Sequence, residues 1–166
     1  MRKIDSLRQV LSSSIEDLSK SNDRLRIWTD RGTVQCRQTS TFGFAMSYRV
    51  KVLLMDMTTD IAAVCYVICA WLRIHQPDLL APGKDAFTLD HDVIDNSKYD
   101  ALIEIDLTQN VTCALNAQGK MQVDYLPEPE PLLADDMPFP GLNVVPILKA
   151  VSVTGDGQIA PFDPAA

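Results

Sequence analysis

The sequence predicts an α+β domain, a largely antiparallel sheet with two helices packed on it, followed by a Pro-rich C-terminal extension. Three observations carry this. Stretches with alternating apolar residues come in groups joined by tight turns, which favours antiparallel pairing. Two other stretches, one near the start and one central, repeat their apolar residues at helical spacing. After Tyr125 the chain turns to Leu-Pro-Glu-Pro-Glu-Pro131, which suits neither a helix nor a central strand.

The first element is a helix from about Ser6 to Ser19. Ser6 and Gln9 have capping-box spacing. Leu7, Val10, Leu11, Ile15 and Leu18 form one stripe, with Ser12, Ser13, Glu16 and Asp17 on the other side. Leu25 to Asp30 then alternates as a strand. Asp30-Arg-Gly32 reads as a turn, and Thr33 to Gln38 as a returning strand. Thr39 to Thr41 and Gly43 make a looser connection to a long strand from Phe44 to Met57. On it Phe44, Met46, Tyr48, Val50, Val52 and Leu54 point one way, and Arg49 and Lys51 the other. Those two cations fit a solvated sheet face or contact with an acidic partner.

Thr59 to Pro77, TDIAAVCYVICAWLRIHQP, reads as one helix apolar on nearly every face. Thr58, Thr59 and Asp60 are all competent caps. Arg73 and His75 suit the dipole at its last turn, and Pro77 stops it. A helix apolar all round is buried all round. One short chain has little material to wrap it, so a second copy is expected on one face. Cys65, Ile68, Trp71, Leu72 and Arg73 are the candidate contacts there, with Arg49 and Lys51 on the sheet. The apolar run of about fourteen residues falls short of the ~20 that span a membrane.

A loop with Pro82-Gly83 leads to an alternating strand through Phe87, Leu89, His91 and Val93. Asp95 to Lys98 turns the chain into a strand from Tyr99 to Thr108, with Ala101, Ile103, Ile105 and Leu107 inward. Val111 to Leu115 and Met121 to Leu126 form a hairpin about Asn116-Ala-Gln-Gly119. The expected domain is residues 1–126. Residues 127–166, with Leu132, Leu133 and Phe139 as anchors, form either a disordered tail or an arm across a neighbour.

No catalytic or metal constellation emerges, and no cofactor is expected. On a strand, Asp90 and Asp92 share one face while His91 takes the other. Asp56 and Asp60 have no nucleophile near them and serve more simply as turn or cap residues. Cys36, Cys65, Cys69 and Cys113 form no CxxC pair, so free thiols are expected, those of the central helix buried. The net charge of −7 argues against a nucleic-acid partner. That charge is uneven. Residues 1–51 hold ten Lys/Arg against five Asp/Glu, and residues 52–166 hold five against seventeen. Such an arrangement fits head-to-tail neighbours in a ring, or two solvated surfaces. Met1-Arg-Lys-Ile-Asp leads straight into a polar helix, so no signal peptide is expected.

With these residues laid out, the chain resembles the tail completion protein R family of temperate contractile-tailed phages of the peduovirus type. Ser6-Leu-Arg8, Leu25-Arg-Ile27 with Asp30 and Gly32, and Phe44 with Tyr48-Arg49 carry the resemblance. It continues through Asp56, Asp60, Ala70-Trp-Leu-Arg73, Gln76-Pro-Asp78, Phe87, Asp100, Ile103, Ile105, Leu107-Thr108 and the Pro-Glu repeats. AWLRxxQPD is its most specific piece, and the match spans roughly Ile4 to Pro131. Where the family has an acidic residue after Leu107-Thr108, this chain has Gln109. The resemblance implies a structural virion protein that completes the tail at its head-proximal end. It implies a homo-oligomer, a hexameric ring, whose partners are the tail tube, the tail sheath and the head–tail connector. Assembly would take place in the host cytoplasm. A neck adaptor or a tube-like subunit of the same particle is the alternative. A small-ligand binding module or an enzyme is the reading from another class, and requires a deep pocket with convergent polar groups.

Overall fold

A computed structural model describes residues 2–36, 43–95 and 97–128. Within them the chain is α+β, with five antiparallel strands and three α-helices. The helices are α1 (Arg2–Ser14), α2 (Glu16–Lys20) and α3 (Ile61–His75). The strands are β1 (Leu25–Cys36), β2 (Phe44–Met57), β3 (Thr88–Val93), β4 (Tyr99–Leu115) and β5 (Met121–Tyr125). The sheet runs β1-β2-β4-β3. Val111 pairs with Phe44 on one side and Tyr125 on the other, so β5 lies on the same edge of β4 as β3, farther along.

Alternation decides which side of this sheet is covered. Tyr48, Val50, Val52 and Leu54 of β2 and Ala101, Ile103, Ile105 and Leu107 of β4 are buried. They pack with Leu7, Leu11, Ile15 and Leu18 from the N-terminal helices and Val64, Ile68, Trp71 and Leu72 from α3. All the helices therefore cover one face. The opposite face, with Arg49, Lys51, Glu104 and Asp106, carries no helix among the described residues.

Several expected boundaries move. The first helix starts at Arg2, so Ser6 lies inside it and caps nothing; its hydroxyl accepts from Trp71 Nε1 at 3.1 Å. The helix breaks at Ile15, whose φ −110 and ψ 120 are extended. That break turns Asp17 inward from its expected solvent side. Its carboxylate accepts from the backbone N–H groups of Thr58 and Thr59 and from both hydroxyls. Of the three possible caps of α3, Asp60 acts, accepting from Ala62 N at 2.8 Å.

Asp30-Arg-Gly32 is not a turn. β1 runs straight through it as a single 12-residue strand with a bulge between Thr29 and Gly32. The turn chemistry supplies an extra residue instead of a reversal, because β2 continues alongside and keeps pairing. β4 likewise continues through Asn110 without a break, over 17 residues. Five strands result where seven segments alternate. Pro77 ends α3 as expected, and Pro77–Leu80 forms a 3-10 turn instead of open loop. The expected arm residues Leu132, Leu133 and Phe139 lie outside the described residues.

The Asp17 pin gives a pH prediction. Burial pushes its carboxyl up, but the hydrogen bonds from Thr58 and Thr59 outweigh this and hold it below the usual range. A carboxylate with a depressed folded-state pKa contributes stability above its unfolded value and loses it as pH falls through the folded one. Thermal melts of Asp17→Asn should therefore lie below those of the parent at pH 7, by about 1–2 kcal/mol of stability. The gap should narrow as the pH is lowered below the ordinary carboxylate range. An unchanged gap would place the pin's contribution elsewhere.

Candidate assembly surfaces

Among the described residues, helix α3 is covered on one side only. Ala63, Val64, Val67, Ile68, Trp71 and Leu72 are buried, all but Ala63 in the main core cluster. Around the helix, Cys65, Tyr66, Cys69, Ala70 and Ile74 are half-buried, and Ala62 and Arg73 are exposed. The expected interface set therefore divides. Ile68, Trp71 and Leu72, at 0–1% exposure, are filled by contacts within one chain and have no surface for a neighbour. Cys65 and Arg73 lie on the half-exposed side. Within one chain the other side of the helix stays half-exposed, so burial all round turns on a second copy. The rest of the helix surface is largely apolar, with Arg73 the charged exception. Burial raises the Cys65 and Cys69 thiols above their ordinary range, and Arg73 draws Cys69 partly back. These are packing thiols with little thiolate character.

The open sheet face carries a ladder of charges. Arg49 meets Asp106 with two bonds, Nε to Oδ1 at 2.7 Å and NH2 to Oδ2 at 2.8 Å. Its hydrogen bonds hold the Asp106 carboxyl below the usual range despite partial burial. Lys51 lies 3.3 Å from Asp30 and 3.2 Å from Glu104. Cations from the basic first third of the chain are thus matched by acids mostly from its later part, across β1, β2 and β4 of one copy. This satisfies a small part of the charge asymmetry internally. Beside the ladder, an open furrow of about 460 Å³ runs past the bulge at Gly32 to Thr108.

The apolar face of the sheet outlasts its helices. Cys113 pairs with Val123 and Leu115 with Met121, in phase with buried Val111. Leu115, Met121 and Val123 are nonetheless exposed, as is Val34 on the corresponding face of β1.

Nothing in the local pattern singles out Lys3, yet the structure buries it at 5% exposure. Its ammonium donates to Gln76 Oε1 at 2.8 Å, to the Thr108 carbonyl at 2.6 Å and to Glu128. Gln76, 1% exposed, also accepts from Thr108 N and donates to Thr108 Oγ1. This knot ties the start of α1, the end of α3, the edge of β4 and Glu128 together. The available signal was Lys3 sitting four residues before Leu7, on the apolar stripe. Gln109, where an acid was expected from the resemblance, is also buried, and its Oε1 accepts from the Tyr48 phenol at 3.3 Å. A neutral amide accepts this bond without placing a charge in the core.

The acid–base candidates do not converge. Asp90 and Asp92 sit on the open face, and His91 turns to the other face against Tyr99, with ring centroids 4.9 Å apart. Asp56 adopts φ 53 at the irregularity between Leu54 and Met57, and its N–H donates to Asp100. Among the described residues no cluster of His, Cys, Asp or Glu could hold a metal, and no helix is long and apolar enough to cross a membrane.

No solved structure matches this chain. The family model described as P2 phage tail completion protein R (GpR) matches residues 1–129. Tail completion protein R of Escherichia phage P2 is 31% identical over 134 residues, covering 79% of this chain and 86% of that protein. With a fold that spends its polar chemistry on internal ties and leaves apolar surface on α3 and the hairpins, the chain belongs to the P2 phage tail completion protein R family.

Proposed function

We propose that this protein completes the contractile tail at its head-proximal end as a hexameric ring, between tube and sheath on one side and the head connector on the other. Membership makes it a phage tail completion protein, a structural component of the virion tail that associates with other tail components. The ring and its position are the finer reading. The observation that supports them is the half-exposed side of α3, where Cys65, Tyr66, Cys69, Ala70 and Ile74 form an apolar strip that a neighbouring copy can cover. The role is assembly, not catalysis. Residues 1–126 act as the ring-forming domain, and residues 127–166 as an arm reaching a neighbour through Leu132, Leu133 and Phe139.

Electron microscopy of particles made without this protein tests the reading. Over-long or ragged tails are expected. Tails of normal length that fail to take heads would assign it to a neck adaptor instead. Light scattering on the purified chain should give a single six-chain mass. A lone chain, both in solution and in particles, would end the ring reading.

The ladder on the open face gives a further expectation. Arg49→Glu with Lys51→Glu sets like charges beside Asp106, Glu104 and Asp30. The fold should survive, because Arg49 and Asp106 are exposed and Lys51 and Glu104 only partly buried. Attachment to an acidic tail partner should fall. Pull-down with purified tubes checks this, and unchanged attachment would leave the ladder as an internal tie only.

A further inference from the structure

Both outer edges of the sheet are free among the described residues, since β1 and β3 end the order β1-β2-β4-β3. β1 is 12 residues long and exposed at every position from Trp28 to Cys36. All six residues of β3 are exposed. Neither strand contains proline. Such edges present unpaired N–H and C=O groups, and proteins normally blunt or cover them.

The two edges differ in sign. β1 carries Arg26 and Arg31, and β3 carries Asp90 and Asp92. The ladder cations Arg49 and Lys51 are paired within the chain, whereas these four side chains have no ion-pair or hydrogen-bond partner among the described residues. Like edges repel and unlike edges attract. That disfavours a two-fold contact of β1 on β1 and favours a head-to-tail one.

Strand direction agrees. Each neighbouring pair in β1-β2-β4-β3 is antiparallel, so three reversals leave β3 running opposite to β1. A β3 strand brought to β1 in the same orientation, as in a sheet continued from copy to copy, meets it antiparallel. Side-chain phase agrees too. Arg26 faces the same side as Leu53, and Asp90 and Asp92 the same side as Leu102 and Asp100, all on the open face. A register that keeps this face common can set Arg26 opposite Asp90 or Asp92. β3 has six residues, and the stretch Leu25 to Thr29 before the bulge has five. The Ile27 carbonyl there accepts from the exposed Arg8 guanidinium at 3.3 Å, a contact that an incoming strand can displace.

We propose that β3 of one copy adds to β1 of the next as an antiparallel strand, so that the seam between neighbours is a continued sheet with matched edge charges. This rests on the ring reading above and names the surfaces that close it.

The test uses two full-length variants, Arg26→Asp with Arg31→Asp, and Asp90→Arg with Asp92→Arg. Circular-dichroism melts should match the parent, since none of the four has an internal partner to lose. Each variant alone should fall to single-chain mass by light scattering, and should fail to complete tails in a phage lacking the gene. Mixed in equal amounts, or co-expressed, the two should assemble and complete tails. The two reversed edges then fit each other, the two untouched edges also fit, and alternation closes a ring of even number. Wild-type mass and tail completion by either variant alone would overturn the seam while leaving the ring intact. Failure of the mixture, with both variants folded, would also overturn it. A parent chain that stays single in solution and in particles would remove the ring, and the seam with it.

Discussion

Ile68→Asp should abolish the fold, while Cys69→Glu, one residue along the same helix, should leave it intact and abolish self-association. Ile68 is fully buried among the main core residues. Losing its packing costs about 2–5 kcal/mol. The new carboxyl must take up a proton, and even neutral it leaves an unpaired polar group worth ~1–3 kcal/mol more. Against a total stability on the order of 5–15 kcal/mol, the sum removes most of the margin. The expected result is insoluble protein, or a melt lowered by tens of degrees at about 4 °C per kcal/mol. Cys69 sits on the half-buried side, four residues before Arg73, where a glutamate gains helix-surface support. Its melt should stay within a few degrees of the parent, and its mass by light scattering should fall to one chain. A stable Ile68→Asp protein would show the core to be looser than its packing implies. A fully assembled Cys69→Glu protein would take the strip on α3 out of the interface.

Lys3→Ala should be the most costly change near the start of the chain. A buried ion pair adds little net stability as a pair, but removing one partner strands the other. Without Lys3, the Gln76 carbonyl oxygen, the Thr108 carbonyl and Glu128 each lose a charged donor. About 3–5 kcal/mol should be lost, read as a lower denaturant midpoint with little change in slope. Glu128→Ala takes the counter-charge from the buried Lys3 ammonium but should cost less, because Lys3 keeps its two neutral acceptors. The double variant should cost clearly less than the two single changes together, since they share one contact. Strict additivity would show that Lys3 and Glu128 do not act on each other.

Most of the fold was legible because its signals are local. Alternation at period two placed Tyr48, Val50, Val52 and Leu54 on the same side as Ala101, Ile103, Ile105 and Leu107. Helical spacing picked Leu7, Val10, Leu11, Ile15 and Leu18 as one buried stripe, and all five are buried. The misreadings share a cause. Asp30-Arg-Gly32 has turn chemistry, but whether such a tripeptide reverses the chain or bulges depends on the strand beside it. Asp17 looked solvated because its four donors lie more than forty residues away in sequence, on Thr58 and Thr59.

By itself the sequence determined the class of fold, the identity of both long helices and the inward residues of the central strands, since hydrophobic period alone sets these. Only the tertiary structure decided which half of the apolar helix stays uncovered, and that Ile68, Trp71 and Leu72 belong to the core while Cys65 and Arg73 do not. Nor did anything in the local pattern mark Lys3 as a knot or leave the edges of β1 and β3 with unpaired charges of opposite sign. Such features are made by groups far apart along the chain, and their free energy exists only once the backbone has brought them together.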